Sequence, residues 1–175
     1  MVLILCGFSY AGKTTIGKLC SQHLSLPFYD IDQIIVGIYS LNKTPAQIWH
    51  ELGPESFRAL ETEAILSLKR KPAIVALGGG SLLHEKNREH LKQLGVSIYL
   101  KASVSLLYQR VLKRGWPAYL DRSRPFTHFK EIALERFPIY ESFCDHILEV
   151  ENISEPELVE KIVEHTELGD YDGWK

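Results

Sequence analysis

The chain has few cysteines, no excess of either charge and no long apolar run, and each absence removes a class of protein. Its three cysteines, Cys6, Cys20 and Cys144, are odd in number, far apart and form no CxxC pair, so neither a disulfide framework nor a zinc site is indicated. A reducing cytoplasm is the expected compartment. With 20 Lys and Arg against 22 Asp and Glu, the net charge of −2 gives no basic field for nucleic acid or an anionic membrane, and any cationic site must be a local cluster. The opening MVLILC stops at Gly7, far short of a membrane span and without the charged start of an export signal. No internal repeat or low-complexity tract is present, and none of the seven histidines sits at metal-ligand spacing with a cysteine or carboxylate. A guanine-reading NKxD segment is also lacking. The nearest match, Asn42-Lys43-Thr44-Pro45, ends in proline, which argues against a GTPase.

What is present is 175 residues, 45% of them apolar, enough for one substantial core and too few for two independent domains. Short apolar runs recur at Val2 to Cys6, Pro27 to Tyr29, Ala73 to Leu77, Val96 to Leu100 and His146 to Val150. Three of them are apolar almost throughout, as parallel strands covered on both faces must be. Between them, Ile16, Leu19, Cys20 and Leu24, and then Phe57, Leu60, Ala64 and Leu68, repeat at helical spacing. Strands alternating with helices predict an α/β three-layer fold, with about five parallel strands, helices on both faces and a ligand site at the carboxyl ends of the strands. The single domain is expected over residues 1–168, with a turn-rich lid near 113–126, a last helix from Ser154, and a tail at 169–175.

Gly7-Phe8-Ser9-Tyr10-Ala11-Gly12-Lys13-Thr14 fits GxxxxGK[ST], directly after an apolar strand and before an amphipathic helix. The glycines let backbone N–H groups wrap a phosphate, and the helix N-terminus adds partial positive charge. Lys13 then reaches the β- and γ-phosphates, and the Thr14 hydroxyl suits Mg²⁺. A nucleoside triphosphate is the expected ligand, held by Gly7, Ser9, Ala11, Gly12, Lys13, Thr14 and Thr15.

Asp30-Ile31-Asp32 follows the second apolar run, and in an extended chain positions 30 and 32 face the same way. One carboxylate would help hold Mg²⁺ and the other would serve as general base; the plainer reading is a helix cap and a turn aspartate. Arg58 and Glu61 are three apart on one helix, which by itself describes a solvated salt bridge. Gly78-Gly79-Gly80 ends a strand with bare backbone that a ligand can approach closely. Arg136, in Arg136-Phe137-Pro138-Ile139-Tyr140, reads alone as a surface residue on a segment helical up to Pro138.

Taken in order, GxxxxGKT, DxD, FRxxE, GGG, a lid arginine and RxPxY resemble the shikimate kinase family over roughly Val2 to Lys161. The resemblance implies a P-loop kinase fold like that of nucleoside monophosphate kinases, with a flap near 32–62, a closing lid, and ATP and Mg²⁺ as donor and metal. It implies transfer to the 3-hydroxyl of shikimate, giving shikimate 3-phosphate in aromatic amino acid biosynthesis, by a monomer with no nucleic acid or membrane partner. Carried over by position, Thr14 and Asp30 would support Mg²⁺, and Asp32 would polarise the attacking hydroxyl. Arg58 and Arg136 would clamp the substrate carboxylate, Gly79 and Gly80 would meet the ring hydroxyls, and Arg110 would contact adenine. The family's lid arginine precedes a proline, whereas Trp116 precedes Pro117 here. Arg124 is the expected catalytic substitute, with Arg114 and Arg122 as weaker ones. Two other readings stay open: a kinase of another small hydroxyl metabolite, such as gluconate or a coenzyme A precursor, and a nucleotide-gated binding module that transfers nothing.

Overall fold

Two of the five apolar runs contain only buried residues, and those runs lie in the middle of the sheet. The computed structural model describes residues 1–121 and 123–165, so Arg122 and the expected tail at 169–175 lie outside the described residues. The strands are β1 (Val2–Cys6), β2 (Phe28–Asp30), β3 (Ala73–Ala76), β4 (Gly95–Lys101) and β5 (His146–Glu149), all parallel, in the order β2-β3-β1-β4-β5. β1 and β3 are buried at every position, while the edge strands keep outward residues such as Tyr29 and Ile147 exposed. A strand with a neighbour on each side and helices above and below has no face left for water. Val2 pairs with Ala73 on one side and Gly95 on the other.

The helices are α1 (Lys13–Leu24), α2 (Ile31–Tyr39), α3 (Pro45–Leu66), α4 (Glu85–Leu94), α5 (Val104–Arg114), α6 (Pro125–Phe143) and α7 (Glu155–His165). They cover both faces of the sheet: α1 packs on α7 and rests on β1 and β3, while α4 and α6 rest on β4 and α4 touches α3. No helix among the described residues is long and apolar enough to cross a membrane. Ends are sealed where the sequence offers oxygens: Thr44 and Gln47 form a reciprocal capping box on α3, and the Ser103 and Ser154 hydroxyls accept from Leu106 N and Glu157 N.

The fold differs from the sequence reading in two places. Residues 30 and 32 are not both extended, because α2 begins at Ile31 and the Asp30 carboxylate caps it by accepting from Asp32 N at 3.0 Å. α6 does not stop at Pro138. The carbonyl left without a partner belongs to Leu134, which like Pro138 is exposed, so water can take the place of the missing N–H. Over the residues expected as a flap stand α2 and a long α3, bent where Gly53 adopts φ 76° just before Pro54.

Candidate active site

The phosphate loop closes on itself through its lysine. Gly12 holds a left-handed conformation (φ 104°) that turns the chain into α1, and no side chain caps that helix. Its first amides are therefore left for an anion, and no acidic residue in the first turn opposes one. The buried Lys13 donates to the carbonyls of Gly7 (2.9 Å) and Phe8 (2.8 Å). Burial lowers its pKa to about 8, against the pull of Asp32 and Asp30. Phe8 anchors the loop in the core, its ring meeting Phe129 at 5.2 Å and Phe137 at 6.2 Å.

Thr14 and Asp30 converge as the motif requires, with Thr14 Oγ1 donating to Asp30 Oδ2 at 2.7 Å. Among the described residues no three His, Cys, Asp or Glu side chains gather to cage a metal. One hydroxyl and one carboxylate beside a phosphate loop nevertheless fit Mg²⁺, which keeps its waters and takes most other ligands from phosphate. Asp32, beside them, has its pKa raised to about 6 by burial and then by the carboxylates of Asp30 and Glu61.

The pair Arg58 and Glu61 is no solvated salt bridge. Glu61 is buried, accepts from Arg58 Nη1 at 2.6 Å and from Ser81 Oγ at 2.7 Å, and so fixes the guanidinium against the cleft. Trp49, 5.2 Å from the guanidinium, backs it with a ring face. Gly80 is pressed so closely to Arg58 that a Cβ there would collide with the guanidinium.

These groups line one cleft of about 350 Å³ at the carboxyl ends of β1, β2 and β3, bounded by Ser9, Gly12 to Thr15, Asp30, Asp32, Arg58 and Gly78 to Gly80. Gly7 and Ala11, also expected to hold the nucleotide, are buried within the loop and are not among the lining residues. Arg136 is not a surface residue and does not stand on the cleft wall either. It is buried, donates to Gly79 O at 3.0 Å, and lies under the Tyr119 ring at 4.9 Å. Arg110 points at the loop from outside, donating to Tyr10 O at 2.9 Å. Arg124 lies outside the cleft and is exposed, because Asp121 and Glu131, each 3.7 Å away, draw it to the surface. Arg114, the last residue of α5, does line the cleft, as Arg58 does from α3.

Several wall residues had no role in the sequence reading, Trp49, Tyr119, Tyr10 and Ala118 among them. Trp49 and Tyr119 bring apolar surface, and Tyr119 also donates to Ser9 Oγ at 2.9 Å. Tyr10 and Ala118 complete that side. Only Tyr10 carried a signal, a bulky side chain inside a phosphate loop.

A parallel sheet with this loop at the end of its central strand and carboxylates at the end of β2 defines a P-loop phosphotransferase of small molecules. The family model described as shikimate kinase matches residues 10–167. The shikimate kinase of Chlamydia pneumoniae is 33% identical over 155 residues, covering 87% of this chain and 88% of its own, and that of Thermodesulfovibrio yellowstonii is 31% identical with 94% of each covered. The structure of shikimate kinase from Acinetobacter baumannii in complex with shikimate superposes with a TM-score of 0.86 at 29% identity, covering 98% of this chain and 94% of that one. The chain belongs to the shikimate kinase family.

Proposed function

We propose that this chain transfers the terminal phosphoryl group of ATP to the 3-hydroxyl of shikimate, giving ADP and shikimate 3-phosphate, and that it works as a cytoplasmic monomer of one domain. One observation carries the reading: Asp32, the phosphate loop and the Glu61-held Arg58 face a single cleft, so base, donor and carboxylate clamp serve one small acceptor.

ATP would lie with its phosphates over the first turn of α1, where Lys13 exchanges its two carbonyl partners for phosphate oxygens. Mg²⁺, held by Thr14 and Asp30 with the phosphates, would offset their charge. Arg58 takes the acceptor carboxylate in a bidentate grip that its planar fork suits. The acceptor hydroxyl then points at Asp32, which takes its proton as the oxygen bonds the γ-phosphorus and the bond to the β-phosphate oxygen breaks. Gly79 and Gly80 present backbone to the ring hydroxyls. Arg136 holds Gly79 in place and reaches the carboxylate itself once the Tyr119 ring shifts. We assign the lid cation to Arg114 in place of Arg124, because it already faces the loop; its charge would stabilise the transferring phosphoryl group.

ADP release from ATP and Mg²⁺ tests the reading. Shikimate should stimulate it strongly, gluconate and dephospho-coenzyme A should not, and Arg58→Ala should abolish the stimulation. Stimulation by gluconate alone moves the substrate, and ATP binding without turnover on any acceptor sinks the kinase.

A further inference from the structure

Tyr10 sits inside the phosphate loop with φ at 69°, a left-handed conformation that glycine adopts freely and a tyrosine does not. Strain of this kind persists where neighbouring contacts hold the residue. Two contacts do so here, and both lead to the end of α5. The Tyr10 hydroxyl donates to Gly115 O at 2.7 Å, and Arg110 Nη1 donates back to Tyr10 O at 2.9 Å. Arg110 and Gly115 bracket the last turn of α5, and Arg114 lies between them, facing the cleft. The Arg114 charge is near enough to the Tyr10 hydroxyl to oppose the rise that burial causes in its pKa.

We propose that Tyr10 is a positioning residue that clamps the end of α5 to the phosphate loop, so that Arg114 is held over the transferring phosphoryl group without waiting for the lid to close. This rests on the role assigned above to Arg114. The chain has Trp116 where the family pattern has its lid arginine, so the cation comes from the root of the lid, and a root needs fastening. Glycine at position 10 would relieve the strain and lose the fastening; tyrosine accepts the strain and provides a hydroxyl at the required reach. Tyr119, donating to Ser9 on the same loop, ties down the far end of the same segment.

The test is a double-mutant cycle. Tyr10→Phe deletes only the hydroxyl, and kcat should fall about tenfold, the scale of one hydrogen bond, with the Kd for ATP and the KM for shikimate unchanged. Tyr10→Gly should show the same loss with an unchanged or higher Tm. Arg114→Ala should be slower than either, and Tyr10→Phe with Arg114→Ala should be no slower than Arg114→Ala alone. Losses that multiply, a full kcat in Tyr10→Phe, or a loss seen only as weaker ATP binding would overturn the clamp. Amide exchange separates this outcome from failure of the kinase reading. In Tyr10→Phe, Gly115 N–H, which bonds Val111 O, should exchange faster while the start of α5 does not, and unchanged exchange sinks the proposal even if the parent chain proves inactive.

Discussion

Two side chains in the cleft are displaced in protonation by the same cause, with opposite sign. Burial disfavours charge, which lifts Asp32 from 3.8 to about 6 and lowers Lys13 from 10.5 to about 8. Asp32 must be ionised to take a proton, so kcat/KM for shikimate should fall as pH drops through about 6, and a flat pH–rate profile down to 5 would remove Asp32 from that role. Its stability effect runs the other way. The folded pKa lies above the unfolded one, so the ionised carboxylate is penalised in the folded state above pH 6, and the penalty fades as pH falls through 6. Asp32→Asn should therefore raise Tm while slowing turnover by about 10²–10⁴, read by calorimetry and ADP release on the same sample. Lys13 must be charged to meet phosphate. ATP binding above pH 8 should then take up a proton and weaken with rising pH, measured by titration calorimetry in buffers of different ionisation enthalpy.

Elements carry the site because their ends do. Phe8 fastens the loop after β1 to α6, and Phe8→Ala should cost about 3–5 kcal/mol in urea unfolding, with a loss of ATP affinity that follows from the loosened loop. Gly80→Ala tests the link between the glycine turn and α3. The backbone there, at φ −118°, tolerates a side chain, yet the methyl would push Arg58 aside; the KM for shikimate should rise about tenfold or more while the Kd for ATP stays put. At this scale, reading structure from sequence works unevenly. β1, the loop and the start of α1 were legible, since their pattern lies within neighbouring residues: an apolar run, glycines, a lysine, an amphipathic stripe. The burial of Glu61 was not, because the hydroxyl that shelters it belongs to Ser81 on another segment. Arg136 was misread for the same reason, its partner being the Gly79 carbonyl. The exposure of Arg124 was legible in part, since its partners Asp121 and Glu131 are close in sequence.

For the whole molecule, the sheet order matters as much as the cleft. The central strand β1 finds its partners only far along the chain, Val2 with Ala73 and with Gly95, so no pairing that involves it is local. Closing such loops costs entropy before any contact repays it, which makes folding slow and late for this strand. The phosphate loop hangs from the end of β1, so it takes shape only when the sheet is assembled. A chain with β1 not yet in place can pair β2 with β3 and β4 with β5 but has no place for a triphosphate. Nucleotide is then a reporter of completed folding: added during refolding, ATP should deepen the native basin without hastening the approach to it, slowing unfolding and leaving the refolding rate unchanged.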